Sequence, residues 1–447
     1  MSFDATITSN HDAGSAERAT QLALRWVYPD PKRAPTWLTR SLVIGRDASA
    51  DVIFDRGQVS RRHAEIERCG PVILLRDLDS KNGVNINGKR IRSQELNAGD
   101  VVRLGDVVAV VVAATPETDL GFRDFGSGVF GGHRHAQIVE ELQALAASQL
   151  CIVLQGATGT GKDRFAALIH SLSQRNGPLI SVNCAVYTQN LAAAELFGYR
   201  KGAFTGADHS SPGHIRAAQG GTLFLDELPE LPLDVQPMLL RAIENRELIP
   251  LGESRAQSID VRFVSATQTP LSEAVERGRF RADLRARLEG GVVHLPALRE
   301  CRELIPELFR ALLRRHTQRE HEPSASFVEA LCLRDFSLNI RELDTLAQRI
   351  ALQPDVRVAL LGEVPLTTPP SRTLARETLE PAASPSERSA RAQLDVPGRP
   401  ASPYSHEELQ QLQQALARVD GNVTRAAQEL GITRARAYRM LERLGRK

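Results

Sequence analysis

Cysteine is scarce in this 447-residue chain. Cys69, Cys151, Cys184, Cys301 and Cys332 are scattered, with neither metal-ligand pairs nor the spacing of a disulfide framework. That scatter excludes a disulfide-stapled scaffold and fits a reducing compartment, where such residues serve as small buried hydrophobes. Long apolar runs are missing too. No stretch approaches the ~20 apolar residues of a membrane span, and the opening MSFDATITSN lacks the basic-then-apolar order of a leader. These absences predict a cytoplasmic protein with no membrane partner. Net charge is only +2, so any nucleic-acid site has to be local.

At 447 residues the chain exceeds one ordinary core, and about 150 residues per domain suggests roughly three. Its 42% hydrophobic and 25% charged residues are those of a globular protein. Residues 20–115 alternate short β-branched runs with turns (SLVIGR, ADVIFD, PVILLRD, GVNINGK, DVVRLGDVVAVVV), the pattern of an all-β sandwich. From residue 128 apolar strands precede helical stretches, as in an α/β nucleotide-binding domain, and Leu304 to Leu361 reads as wholly helical. Residues 362–404 read as a disordered linker: between Pro365 and Pro403 the chain is rich in Pro, Ser, Ala and Arg and holds no aromatic, too little apolar surface to fold. Residues 405–447 are helical again.

GATGTGKD follows the apolar run CIVLQ and opens a helical pattern, which is where a P-loop stands. The backbone of Gly156, Ala157, Thr158, Gly159, Thr160 and Gly161 would cradle phosphates, and Lys162 would reach the terminal ones. The strict pattern has Ser or Thr after the lysine; here Asp163 follows. GGTLFLDEL, Gly220 to Leu228, reads as a buried strand ending in two carboxylates. A Walker B strand needs that order, with Asp226 for magnesium and Glu227 to orient or deprotonate the attacking water. The two motifs together predict an ATPase that uses ATP and Mg2+. In GRFRADLRARL, Arg279, Arg281, Arg285 and Arg287 gather about a predicted helix. An arginine placed on a γ-phosphate, often a neighbouring subunit's, speeds phosphoryl transfer; spacing does not choose among the four.

As a set these residues resemble the AAA+ ATPase domain of bacterial enhancer-binding proteins, the activators of sigma-54 RNA polymerase. The similarity runs from Val129 to Leu361 and rests on ELFGYRKGAFTGA, GGTLFLDELPELPLDVQPMLLRAI, FRADLRARL, LPALRE and NIRELDTL. It implies an AAA+ domain over residues 128–361 with a helical lid over 300–361. The uncharged stretch Gly202, Ala203, Phe204, Thr205, Gly206 and Ala207 would be the loop that engages sigma-54, with Phe204 and Thr205 at its tip. The resemblance makes Arg281 and Arg287 fingers acting in trans, which requires a homo-oligomeric ring, expected to be a hexamer. It makes Arg341 the sensor II contact to nucleotide, and Asn183 the residue that holds Glu227 at rest. Three positions depart from the family pattern: Gln268 at the sensor I asparagine, Phe336-Ser337-Leu338 in place of Trp-Pro-Gly before Asn339, and Arg200 in place of an acid.

At the front, Gly45-Arg46, SRRH at Ser60 to His63 and KNGVNING at Lys81 to Gly88 are spaced as in a forkhead-associated domain, which this region resembles over residues 20–115. The resemblance implies that Arg46, Ser60 and Arg61 bind the phosphate of a phosphothreonine peptide, that Asn82 holds the peptide backbone, and that His63 supports the loop. A guanidinium, a hydroxyl and a basic neighbour suit a phosphate dianion. A phosphothreonine-containing protein as partner implies an upstream Ser/Thr kinase.

In the tail, Val423, Ala426, Ala427 and Leu430 repeat at i, i+3, i+4 and i+7, as do Ala437, Met440, Leu441 and Leu444. Two amphipathic helices around Gly431-Ile432 make the helix-turn-helix pattern. It looks like the Fis-type domain that ends this family. Thr433, Arg434, Arg436 and Arg439 would then meet double-stranded DNA in the major groove. Leu409, Leu412, Leu416 and Val419 share one face of the preceding helix, which suits a dimer on an enhancer-like inverted repeat.

The expected protein is multidomain: an all-β forkhead-associated sandwich, an α/β AAA+ P-loop domain with a helical lid, and a small all-α helix-turn-helix domain. Its expected work is ATP-driven remodelling of sigma-54 RNA polymerase from an upstream DNA site, under phosphothreonine control. The rival reading is a DNA-binding regulator whose ring senses nucleotide but is catalytically weak, which Gln268 keeps open; a phosphopeptide-binding scaffold is a second.

Overall fold

The computed structural model describes residues 20–356 together with 360 and 430. The expected linker and helix-turn-helix, including Thr433, Arg434, Arg436 and Arg439, lie outside the described residues. Among the described residues no helix is long and apolar enough to cross a membrane.

Two antiparallel-rich sheets form the front sandwich. One runs in the spatial order Thr36–Trp37, Gln21–Tyr28, Val107–Ala114, Val101–Leu104, Val84–Ile86, Lys89–Ile91. The other runs Val52–Ile53, Leu42–Gly45, Ala64–Cys69, Val72–Asp77, Ser93–Glu95. Leu24, Trp26, Ile44, Ile66, Leu75 and Ile86 fill the space between them. A sandwich strand with one wet face should alternate apolar and polar. Val107–Ala114 does not, being buried at seven of eight positions. Both faces of this sheet are therefore covered. Ala109 and Val111 point into the sandwich. Val108, Val110 and Val112 meet Ala325, Val328 and Cys332 of a helix more than 200 residues later.

The central sheet has five strands in the order Leu179–Asn183, Thr222–Asp226, Arg262–Thr267, Ile152–Gln155, Gly291–His294, all parallel. Parallel pairing brings all five C-terminal ends to one edge, where α/β folds bind ligands. The register is specific: Asn183 lies opposite Asp226, and Gln155, the last residue before the P-loop, lies opposite Thr267.

The lid, read from the sequence as wholly helical, is divided by two non-helical segments. It consists of helices Ile305–Thr317, Ala325–Leu333 and Asn339–Ala351. Gln318 ends the first in a left-handed conformation (φ 56°). Ser324 caps the second, its Oγ accepting from the Phe327 N–H at 3.1 Å, while Arg334–Leu338 is non-helical. Phe309, Phe327, Leu331, Phe336, Leu343 and Ile350 bind the three helices into one small core.

Candidate nucleotide and partner sites

The P-loop leaves strand Ile152–Gln155 and runs into helix Lys162–Leu172. Gly159 and Gly161 take φ +78° and +90°, which side-chain-bearing residues rarely adopt. Lys162 is 7% exposed, and its Nζ donates to the carbonyls of Gly156 (3.0 Å) and Ala157 (3.4 Å). A buried ammonium needs such partners, and the same geometry aims it into the loop that would hold phosphates.

Asp226 and Glu227 stand beside it at the sheet edge. Burial chiefly, then the neighbouring Glu227 carboxylate, pushes the Asp226 carboxyl above its ordinary range; its Oδ1 accepts from the Glu227 N–H at 3.0 Å. Glu227 is itself held at φ 51°, a conformation that costs a non-glycine residue ~1–3 kcal/mol and is often kept at functional sites. Its Oε1 accepts from Gln268 Nε2 at 2.7 Å. Asn183, expected to hold this glutamate, instead accepts from its own Ala185 N–H at 2.9 Å and caps the turn Cys184–Val186. The structure thus brings the longer amide of Gln268, not Asn183, to Glu227.

The lid closes over the P-loop. Asn339 Nδ2 donates to the Thr158 carbonyl (2.8 Å) while its Oδ1 accepts from the Leu298 N–H (2.8 Å). The Ile340 N–H donates to the Gly159 carbonyl at 3.0 Å. A Cβ on Gly159 would lie 2.0 Å from the Leu338 carbonyl oxygen, so only glycine permits this seat. Between P-loop and lid lies a cavity of 530 Å³ whose lining includes Gly159 to Gly161, Asp163, Phe165 and Arg341. Asp344, within NIRELDTL, lines it as well, as do His135, Arg164 and Arg315, residues no motif pointed to. Burial pushes the His135 imidazole down to about 4, so it is neutral near pH 7. Asn339 was within NIRELDTL, but only the fold shows it joining three segments.

Arg281 and Arg287 stay out of this cavity. Helix Ala282–Leu288 starts after Arg281, so Arg281, expected on the helix with Arg287, stands at its N-cap. Arg281 makes a two-pronged pair with Asp283 (3.0 and 2.7 Å) and Arg287 pairs with Glu244 (2.7 Å). Their side chains are 45% and 61% exposed.

The GAFTGA loop projects from Tyr199, which bridges to Ser211 and Leu251. Gly202 and Gly206 take φ +84° and +96°, and nothing lies within 4 Å of a Cβ on either. They form the feet of a narrow turn closed by Gly202 N–H to Ala207 O (2.9 Å) and Ala207 N–H to Phe204 O (3.0 Å). Phe204 is 45% exposed at its top, edge-on to the Tyr199 ring at 5.0 Å.

On the front sandwich, Arg46, Ser60, Arg61 and Asn82 come together on adjoining loops. The Arg46 N–H donates to Ser60 O and the Asp47 N–H to Arg61 O. Ser60 Oγ accepts from the Lys81 N–H at 3.0 Å, and Asn82 Nδ2 donates to Gln58 O at 2.7 Å. Arg46, Arg61 and Asn82 are exposed. His63 is fully buried; its Nδ1 accepts from the Ser60 N–H and its Nε2 bonds the Gly83 carbonyl, so it braces two of the loops.

Three family descriptions match the chain in order: "FHA domain" over residues 42–105, "Sigma-54 interaction domain" over 129–294, and "Bacterial regulatory protein, Fis family" over 407–443. The nitric oxide reductase transcription regulator NorR1 of Cupriavidus necator is 38% identical over 322 residues, 70% of this chain and 62% of that protein. The chain therefore spans less than two thirds of that relative. The transcriptional regulatory protein ZraR of Salmonella typhimurium is 34% identical over 355 residues, 77% of this chain and 76% of that one. Among solved structures, NtrX of Brucella abortus in complex with ADP superposes with a TM-score of 0.50 at 25% identity, covering 72% of this chain and 69% of that one. The chain belongs to the family of bacterial transcriptional regulators built on a sigma-54 interaction domain, with a forkhead-associated domain before it and a Fis-family segment after it.

Proposed function

We propose that this protein hydrolyses ATP in a ring of identical subunits to remodel sigma-54 RNA polymerase for open-complex formation, working from a DNA site bound by its tail. The observation that carries this reading is the meeting of Lys162, Asp226 and Glu227 at one sheet edge beneath a closed lid. Mg2+ would be held by Asp226 and by the phosphates, where it neutralises charge developing in phosphoryl transfer. The donor set fits. Asp226 is a desolvated carboxylate crowded by Glu227 and Asp163, a site that gains from a cation, and magnesium is ordinarily held by one or two carboxylates plus substrate.

The chain's own residues divide the work. Lys162 draws in the terminal phosphates, Glu227 orients and takes the proton from the attacking water, and Arg341 reads the nucleotide from the lid. Arg281 and Arg287, exposed and away from their own cavity, serve a neighbouring subunit's phosphates, which fits a hexamer. Thr205 and Phe204 make the sigma-54 contact. The front loops bind a phosphothreonine peptide made by a Ser/Thr kinase.

The bond from Gln268 to Glu227 gives the weak-ring reading a specific basis, because an amide on the general base restrains it. It acts as a brake on a working site rather than as the mark of a dead one. Glu227→Gln is expected to keep ATP binding and to lower turnover by at least ~100-fold. Gln268→Ala is expected to raise single-turnover hydrolysis about fivefold, as loss of a charge-assisted bond at a partly exposed site allows. No turnover by the assembled wild-type ring would leave only the nucleotide-sensing reading.

Thr205→Ala tests the partner. In transcription from a sigma-54 promoter it is expected to abolish open complexes at unchanged ATP turnover; full activity would remove the loop from the sigma-54 contact.

A further inference from the structure

The front domain does not hang free on a connector. The outer face of its six-stranded sheet is roofed by the lid: Val108, Val110 and Val112 pack on Ala325, Val328 and Cys332, while Phe327 and Leu331 on the other side of the same helix belong to the lid's own core. Charges lock this contact. Arg103 Nε meets Glu329 Oε2 at 2.6 Å with the Glu329 side chain 8% exposed, and Arg25 meets Glu307 at 3.5 Å with exposures of 5% and 16%. Arg310 donates to the Val27 carbonyl (3.0 Å), and Arg302, in the turn between strand Gly291–His294 and the lid, donates to the Gly99 carbonyl (3.4 Å). Pairs buried this deeply are costly to break by removing one partner.

Helix Ile305–Thr317 shows what the contact governs. Glu307 and Arg310 face the front domain, while Leu308, Ala311, Leu312 and Arg315 line the nucleotide cavity. One helix thus presents one stripe to the sandwich and another to the cavity beside the P-loop. The front domain touches both the hinge turn and the lid, so the lid cannot swing on that turn without shearing this interface.

We propose that the sheet's outer face is a docking surface for the lid of the same chain, and that the docked sandwich is a splint that slows nucleotide release. This rests on the nucleotide reading above. It also gives the phosphopeptide loops a route to the ATPase. Asn82 donates to Gln58 O, the turn at Gly105 packs on that carbonyl, and Arg103 joins Gly105 O to Glu329. Arg46, Arg61 and Asn82 are exposed in the docked arrangement, so a peptide can be read without undocking.

The test uses the full-length protein with Arg103→Glu, with Glu329→Arg, and with both together. Two quantities are read: dissociation of a fluorescent ADP, and hydrogen exchange across residues 325–333. Each single change is expected to speed ADP release about fivefold or more and to lower protection of 325–333. The double swap restores opposite charges and is expected to return both to within about twofold of wild type. Single variants that release ADP at the wild-type rate overturn the splint, whether or not protection is lost. A double swap no better than its parents overturns the pairing as the lock. If the wild type binds no ADP, the nucleotide reading fails instead, and the exchange data still decide whether the docking surface exists.

Discussion

Asn339 is the side chain on which this architecture turns. Nearly fully buried at 3% exposure, it donates to the P-loop at Thr158 and accepts from Leu298, the first residue of the turn that leads from the sheet to the lid. One amide therefore fixes the distance between phosphate loop, hinge and lid. Ile340, next in the chain, adds a backbone bond to Gly159, and the absence of a side chain there lets Leu338 approach. Asn339 and Ile340 thus join the P-loop to the helix that carries Arg341, and the lid core joins that helix to Ala325–Leu333, which packs on the front domain.

The same economy appears at the sheet edge. Parallel pairing places Asn183 beside Asp226 and Gln155 beside Thr267 at the same edge of the sheet. Which of them touches Glu227 is settled by reach. Gln268 follows Thr267 and has one more methylene than the asparagine common at that position, enough to close to 2.7 Å, whereas Asn183 satisfies its own turn. The amide that bonds Glu227 thus comes from a strand end two places away in the sheet from that of Asn183. The GAFTGA stretch carries no charge, and Phe204 stands exposed on a glycine-footed turn.

Much of this is legible in the sequence. The P-loop, the paired carboxylates, the GAFTGA stretch and the three front-domain motifs are short contiguous signatures, and contiguous residues carry their geometry with them. The sandwich and the α/β class of the central domain follow from β-branched runs and from strand–helix alternation. The turns that divide the lid at Gln318 and Leu338 are not legible in the sequence, because the pattern stays apolar on both sides. The helix start just after Arg281 is not legible because no capping side chain announces it. Contacts between distant segments, such as Gln268 with Glu227 or Arg103 with Glu329, leave no local mark. One signal of the docking was present nonetheless: DVVAVVVAA is apolar at successive positions, and a strand without alternation has both faces covered. What covered the second face was readable only from the fold.

The most direct test of the central claim, that nucleotide loop and lid are one mechanical unit seated through a single buried amide, is the affinity of Asn339→Ala for ADP, measured by calorimetry on the full-length protein. Loss of two buried hydrogen bonds at the seat should weaken ADP by about tenfold or more while leaving the thermal unfolding of the front sandwich in place. An ADP affinity equal to that of the wild type would contradict the account.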